Sequence, residues 1–145
     1  MFITSKLGSI VKTGLAAAFL ASLVACEKEI ETSAVPSATA QLERGELLSY
    51  ACQACHTLGA DGAHQIGPNL AGVFGRLAGS APGFDYSPAL RGAGFVWSPQ
   101  ELERWLADPA GFLPGTTMAF TGYQSPEDRA ALIHFLLTAT DASSD

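Results

Sequence analysis

The chain has 145 residues, and its 14 Asp and Glu residues outnumber the eight Lys and Arg residues to give a formal net charge of −6 at pH 7. This acidic balance excludes nucleic-acid binding, which needs a basic surface. It also argues against long-range electrostatic steering toward an acidic partner, because all 14 acidic residues follow Cys26.

The chain begins with the pattern of an export signal. Lys6 and Lys12 precede an apolar run at residues 14–25, GLAAAFLASLVA. A charged segment followed by a short apolar one is typical of a secretory signal, and the run is shorter than the roughly 20 residues of a membrane span. We therefore predict a signal peptide at residues 1–25. An uncleaved N-terminal anchor is the alternative.

Cys26 directly follows this run, in the sequence Leu23-Val24-Ala25-Cys26. The segment resembles a bacterial lipobox, in which the cysteine is lipidated on its sulfur and becomes the first residue of the mature chain. The resemblance implies lipidation of Cys26 and anchoring to a membrane. A free thiol or an intermolecular disulfide is the other interpretation of an odd cysteine in an exported protein.

Residues 26–40 are small, polar and aperiodic, and they include Pro36. This composition predicts a flexible tether, although a disordered terminus without mechanical purpose would have the same composition. Residues 41–140 have the length of one domain, and residues 141–145 are predicted to be a disordered tail.

The first predicted helix covers residues 42–54, with Leu47, Leu48 and Ala51 on one side. Its last residues begin the segment Cys52-Gln53-Ala54-Cys55-His56. Two cysteines three apart with a histidine directly behind them form the attachment pattern of a c-type haem. Thiols at i and i+3 lie on one helix face, and the neutral imidazole can bind iron.

Two other interpretations of the cysteine pair are weaker. A structural zinc site needs four ligands, and His56 and His64 are spaced more widely than the histidines of a zinc finger. A thioredoxin-like CxxC normally lies in a βαβ pattern, and no such pattern of strands is visible in the sequence.

The rest of the domain is predicted to be loops and two further helices. Residues 59–99 are rich in Gly and Pro, with a short helical turn at residues 87–91. Ser98-Pro99-Gln100-Glu101 is a helix start with a capping box, and Pro109 ends that helix. Ser125-Pro126 starts the last helix. The buried stripes of these two helices are predicted to contain Leu102, Trp105 and Leu106, and then Leu132, Ile133, Phe135 and Leu136.

Met118 is the only methionine beyond the signal peptide, and it follows the turn Pro114-Gly115. A methionine in an apolar loop usually packs against its neighbours. A thioether is also a soft iron ligand that stabilises the reduced state, and a second strong ligand favours electron transfer over binding of small molecules. With CxxCH upstream, the ligand interpretation is preferred.

The ordered motifs closely resemble those of the class I cytochromes c over nearly all of residues 42–140. The resemblance is carried by CQACH and by Gly67-Pro68-Asn69-Leu70, Gly72, Phe74-Gly75-Arg76, Phe84-Asp85-Tyr86-Ser87, Trp97, Trp105-Leu106, Asp108-Pro109, Pro114-Gly115-Thr116, Met118 and Arg129-Ala130-Ala131-Leu132. It implies an all-α fold with three main helices and long loops packed around one covalently bound haem c.

The resemblance also implies a role for each matching residue. Cys52 and Cys55 would be thioether attachments, His56 the proximal iron ligand and Met118 the distal one. The carbonyl of Pro68 would accept the second N–H of His56. The haem propionates would be bound by Tyr86 and Trp97, with help from Arg76 and Thr116; ordinary loop packing is the alternative for these positions.

The two remaining histidines are not expected to bind iron. The family position that matches His64 is a structural histidine bridging two loops, and His134 falls on the polar side of the last helix.

These expectations define an electron carrier rather than an enzyme. We expect a monomer that is lipid-anchored on the periplasmic side of a bacterial membrane and passes single electrons between respiratory or photosynthetic complexes. The segment Ala110-Gly111-Phe112-Leu113 and Thr117 lacks the lysines that mitochondrial members present there. The alternatives are a permanently bound subunit of a dehydrogenase or oxidase, favoured by an exposed apolar patch, and a haem enzyme or gas sensor with a labile methionine.

Overall fold

The structure is a computed structural model that describes residues 36–141. The predicted signal peptide, the lipidation site Cys26, residues 26–35 of the predicted tether and residues 142–145 of the predicted tail lie outside the described residues. None of the helices between residues 36 and 141 has both the length and the hydrophobicity needed to cross a membrane.

Five helices form the described domain. They are α1 (Ala38–Gln53), α2 (Pro88–Arg91), α3 (Pro99–Ala107), α4 (Pro109–Phe112) and α5 (Pro126–Ala139). Within residues 36–141 extended backbone pairs only at one isolated bridge, between Leu77 and Val96. The all-α prediction is confirmed: α1, α3 and α5 are the three main helices, and loops occupy most of residues 54–98.

Short polar side chains fix where these helices begin. The hydroxyl groups of Ser87, Ser98 and Ser125 each accept a hydrogen bond from the backbone N–H three residues later. A proline follows each cap, where the missing N–H costs nothing and φ is already helical. The predicted starts of α2, α3 and α5 are therefore confirmed. The predicted capping box of α3 forms only in part, because Ser98 caps the helix while the carboxylate of Glu101 pairs with Arg104.

Two helix boundaries differ from the sequence-based expectation. Helix α1 begins at Ala38, capped by the hydroxyl of Ser37, so the last three residues of the predicted tether are helical. Pro109 was expected only to end a helix, but it is also the first residue of α4. The carboxylate of Asp108 accepts a hydrogen bond from Gly111 N at 2.9 Å and so caps this short helix.

Helices α1 and α5 pack closely across each other. A Cβ at Gly45 would overlap the carbonyl oxygen of Ala131 and the Cβ of Phe135, so only glycine permits this approach. Beneath the crossing lies an apolar core that includes Trp97, Leu102, Trp105, Leu106, Leu132, Ile133 and Leu136. The crossing places the end of α1, with its cysteines, beside this core.

Candidate haem site

The last turn of α1 and the residues that follow it carry the CQACH segment. The backbone N–H groups of Cys55 and His56 both donate to the carbonyl of Cys52, at 3.0 and 2.9 Å. This tight turn brings the two half-buried thiols and the imidazole to one large cavity. The geometry therefore provides two points of covalent attachment and one nitrogen ligand on the same side of that cavity.

The ring of His56 is held by the backbone of the next loop. Its Nδ1 lies 2.6 Å from the carbonyl oxygen of Pro68. Because a carbonyl can only accept, the proton is on Nδ1 and the lone pair of Nε2 is left for a metal. Burial lowers the pKa of His56, and the bond to Pro68 offsets only part of that effect. The imidazole is thus kept neutral, the form that binds iron.

Gly67 makes this arrangement possible. A Cβ at this position would overlap the imidazole ring of His56, so any other residue would displace the ring. The N–H of Gly67 also donates to the carbonyl of Cys55 at 2.8 Å. In the sequence Gly67 is distinguished only as part of the segment Gly67-Pro68-Asn69-Leu70, because its role depends on a contact between two loops that a linear pattern does not display.

Met118 lies in another wall of the same cavity. A turn closed by a hydrogen bond from Thr116 N to Leu113 O at 3.1 Å precedes it, with Gly115 at a φ of 92°. The backbone N–H of Met118 then donates to the hydroxyl of Thr116 at 3.3 Å. Thr116 itself does not line the cavity, so its predicted contact with a propionate stays a prediction.

Of the four residues predicted to bind or support the propionates, Arg76, Tyr86 and Trp97 line the cavity. Arg76 donates to the carbonyls of Ala71 and Asn69 at 2.9 and 3.2 Å, which fixes the guanidinium near the cavity. Burial raises the pKa of Tyr86, and the charge of Arg76 partly opposes that shift. Tyr86 and Trp97 are buried. A fixed cation and two buried donors suit the carboxylates of a haem.

The cavity suits a mainly apolar group that carries a few polar attachment points. Its volume is about 270 Å³, close to the lower end of the roughly 300–1,000 Å³ of typical ligand pockets, and it is partly open to solvent. Its apolar lining includes Leu70, Val73, Leu90, Leu102, Trp105, Leu106, Phe120 and Leu136. The other lining groups include two thiols, an imidazole, a thioether and a guanidinium, and together they match the attachment points, iron and propionates of haem c.

The structure argues against the two other interpretations of the cysteine pair. Burial raises the pKa of Cys52 to about 11, whereas redox-active CxxC cysteines have lowered pKa values. Among residues 36–141, no cluster of three or more His, Cys, Asp or Glu side chains is arranged to hold a metal ion.

His64 is a structural residue, as expected. Its Nε2 donates to the carbonyl of Pro82 at 2.8 Å, and its Nδ1 accepts from the backbone N–H of Asn69 at 2.9 Å. Both ring nitrogens are therefore used in joining two loops, and His64 does not line the cavity.

A second set of residues, given no role by the sequence, holds the far end of the methionine loop, the segment of residues 113–125 between α4 and α5. Arg129 donates to the carbonyls of Tyr123 and Gln124 at 2.7 and 2.9 Å and pairs with Glu103. The hydroxyl of Tyr123 donates to the carbonyl of Leu48 in α1 at 2.8 Å. Only the Arg129-Ala130-Ala131-Leu132 motif drew attention to this part of the chain.

The fold and the cavity define a small, all-helical protein that holds a c-type haem through a CxxCH segment. Comparisons with known proteins agree. The family model described as cytochrome c matches residues 42–140. Cytochrome c of Chlamydomonas reinhardtii is 43% identical over 100 residues, which are 68% of this chain and 89% of the relative.

Two bacterial proteins are similarly close. Cytochrome c2 of Rhodomicrobium vannielii is 40% identical over 95 residues, covering 66% of this chain and 76% of the relative. A cytochrome c homolog of Bradyrhizobium diazoefficiens is 40% identical over 99 residues, covering 68% of this chain and 54% of that protein. This chain belongs to the cytochrome c family, as a class I member with one covalently attached haem c, and it is an electron carrier.

Proposed function

We propose that this protein is a membrane-tethered one-electron carrier in which His56 and Met118 would be the two protein ligands of the haem iron. The observation that carries the proposal is the orientation of His56: its Nδ1 is bonded to Pro68, which leaves Nε2 for iron in a cavity that Met118 also lines. When bound, the haem supplies an iron that accepts and releases one electron.

In this proposal the other site residues attach the haem covalently, orient its imidazole ligand or bind its propionates. Cys52 and Cys55 form the two thioether bonds, and Pro68 orients the imidazole and increases its basicity through their hydrogen bond. Arg76, Tyr86 and Trp97 bind the propionates, and Thr116 supports this end of the cavity. The apolar lining excludes water, which favours the reduced state because it carries less charge.

Lipidation of Cys26 and export are the second part of the proposal. The signal pattern and lipobox at residues 1–26 support a carrier on the periplasmic side of a bacterial membrane, where its donor and acceptor are membrane electron-transfer complexes. A tether raises the effective concentration of the carrier near such complexes. That gain would replace the long-range charge steering that this acidic chain cannot provide toward acidic partners.

Two measurements test the two parts separately. The oxidised holoprotein should show the weak long-wavelength iron–sulfur band, and the reduced protein should not bind carbon monoxide; a Met118→Ala variant should reverse both. A wild-type protein that binds carbon monoxide readily would indicate a gas sensor or haem enzyme instead of an electron carrier.

Mass analysis of the mature chain should find acylated Cys26 as the first residue, and an intact Met1 would contradict lipidation.

A permanently bound electron-transfer subunit is the second candidate. It is favoured by large apolar side chains that are exposed to solvent, among them Leu47, Tyr50 and Ile66. Such a subunit would copurify with its dehydrogenase or oxidase in a fixed ratio, whereas a mobile carrier would be recovered alone.

A further inference from the structure

An exposed apolar stripe runs along α1 to the edge of the haem cavity. Leu47 is 67% exposed and Tyr50 is 58% exposed, and Ala51 and Ala54 are exposed as well. These residues are spaced at i, i+3, i+4 and i+7, so they share one face of the helix. Ala51 also lines the cavity, which joins the stripe to the cavity mouth.

Other parts of the cavity mouth are equally uncharged. Ile66 is 82% exposed and lines the cavity, and so do the exposed residues Thr117 and Ala119 of the methionine loop. We call the whole set the neutral rim; its members are Leu47, Tyr50, Ala51, Ala54, Ile66, Thr117 and Ala119. A large aliphatic side chain as exposed as Ile66 at the mouth of a binding site is typical of a contact surface.

Charge appears at only one border of the neutral rim on α1. Glu43 and Glu46 are exposed and lie one helical turn before Leu47 and Tyr50, and the exposed Arg44 at the same border is paired with Asp128 of α5. A partner that placed an acidic or basic group over the rim itself would bury an unpaired charge, which is costly. The complementary surface is therefore apolar at its centre, with basic residues only where it meets Glu43 and Glu46.

We propose that the neutral rim is the docking surface for a redox protein whose electron-exchange site is an uncharged apolar patch bordered by basic residues. This inference rests on the proposed carrier function. The complex proposed is a transient one, the class whose interfaces lie at the small end of the size range. Docking depends on apolar contact, and its rate therefore depends weakly on salt.

Electron transfer to membranes provides the first test. The full-length holoprotein, reduced in advance, is mixed with washed membranes of the source organism and its oxidation is followed by stopped flow. Leu47→Ser and Ile66→Ser should each lower the second-order rate about fivefold or more, as expected for losing at least ~1 kcal/mol of apolar contact. The wild-type rate should change less than about threefold between roughly 20 and 500 mM salt.

Matched controls lie on another part of the surface. Leu77 and Val96 are 49% and 48% exposed and do not line the cavity. Leu77→Ser and Val96→Ser should leave the rate unchanged within about twofold. Absorption spectra and unfolding midpoints of all four variants would show whether the haem site and the fold are intact.

Footprinting gives a readout that does not depend on turnover. In the presence of the same membranes, hydroxyl radicals should label Leu47, Tyr50 and Ile66 less than in free solution, while Leu77 and Val96 should be labelled equally in both. Equal labelling of the rim, or rim variants that react like the controls, would overturn the proposal. A wild-type rate that falls more than about tenfold with salt would also overturn it.

The other possible occupants each give a different result, and each would overturn the proposal. A dimer in sedimentation that Leu47→Ser dissociates would make the rim a contact between two copies. Binding of a Cys26→Ser protein to phosphatidylcholine vesicles that Ile66→Ser abolishes would make it a lipid contact. Recovery in a fixed ratio with a membrane complex would make it a permanent interface. Wild-type protein that membranes neither oxidise nor reduce would instead refute the proposed electron exchange with membrane complexes, and the rim proposal with it.

Discussion

The segment that carries His56 and the segment that carries Met118 face the same cavity, but hydrogen bonds hold them in different ways. Around His56, successive hydrogen bonds join residues 55–59 to residues 67–70. His56 contacts Pro68, Gly67 donates to Cys55, and Leu70 donates to the carbonyl of Thr57 at 2.9 Å. The amide of Asn69 adds bonds to Thr57 and Gly59.

The methionine loop, residues 113–125, is held mainly at its two ends. The turn that includes Leu113 and Thr116 fixes the first end, and Tyr123 and Arg129 fix the second. Between these ends, Met118 relies on the Thr116 hydroxyl and on packing against the core. Local opening is easiest where few hydrogen bonds must break, so we expect the Met118 side to open before the His56 side.

A small substitution beside His56 tests the rigid side and has the largest expected effect. In Gly67→Ala the new Cβ would overlap the imidazole, so the ring or the loop must move. We expect the free energy of unfolding of the holoprotein to fall by about 2–3 kcal/mol, with an altered iron spectrum. Denaturant unfolding and absorption spectroscopy would measure both.

Gly59→Ala is the control for this prediction, because a Cβ at Gly59 meets no atom within 4 Å. It should change stability by less than about 0.5 kcal/mol. If both variants lost the same stability, the contact between Gly67 and His56 would not be the reason.

Arg129 tests the far end of the methionine loop. Its side chain is only 12% exposed and donates to two loop carbonyls, so Arg129→Gln leaves acceptors unpaired. We expect a loss of about 2 kcal/mol. On heating, the iron–sulfur band, which reports on Met118, should also disappear at a lower temperature than the haem absorption band that reports on His56.

Arg91→Gln provides the matched arginine control. The ion pair of Arg91 with Asp85 is exposed on both sides, with side chains 52% and 98% accessible, so its loss should cost less than about 0.5 kcal/mol. Simultaneous loss of both spectral bands in Arg129→Gln would show that the two sides of the cavity open together.

Tyr123→Phe removes one hydrogen bond between the methionine loop and α1. The carbonyl of Leu48 loses the phenolic donor, and we expect a cost of about 1 kcal/mol in denaturant unfolding. Tyr50→Phe, at an exposed position, should leave stability unchanged within about 0.5 kcal/mol. An equal loss in the two variants would exclude a special role for the bond to Leu48.

Thr116→Val has a smaller expected effect, because the bond to Met118 N is long, at 3.3 Å. Stability should fall by about 0.5 kcal/mol, and the iron–sulfur band should weaken at moderate temperature. Thr121→Val, at an exposed position in the same loop, is the control. A wild-type band in Thr116→Val would mean that packing alone positions Met118.

The smallest effect concerns alkaline pH. Burial raises the pKa of Tyr123, so the folded state keeps the phenolic proton to higher pH than the unfolded state does. Stability therefore decreases as pH rises above the unfolded value of about 10. Stability of Tyr123→Phe, measured from pH 8 upward, should decline less steeply than that of the wild type. A parallel decline would assign the loss to other groups.

Local sequence patterns predicted much of this fold. Ser98-Pro99 and Ser125-Pro126 located two helix starts because capping depends on neighbouring residues alone. The same patterns left the start of α1 and the existence of α4 open. Ser37 follows a proline in a polar segment, and Asp108-Pro109 can either end one helix or begin another.

The tertiary contacts of the site could not be predicted in the same way. Only glycine fits at position 67 because the imidazole ring of His56 lies against it. Arg129 donates to carbonyls that only the fold brings near it. The neutral rim joins residues of α1 to residues of two loops, and exposure is a property of the folded surface. No periodicity along the chain displays such contacts.

The sequence by itself determined the haem attachment and the all-helical class, because CxxCH spacing and helix caps are local chemistry. It also predicted Met118 as the second iron ligand, since this is the only methionine beyond the predicted signal. Only the tertiary structure decided which nitrogen of His56 is left for a metal and which uncharged residues surround the cavity mouth. Both depend on contacts between segments that are distant in the chain.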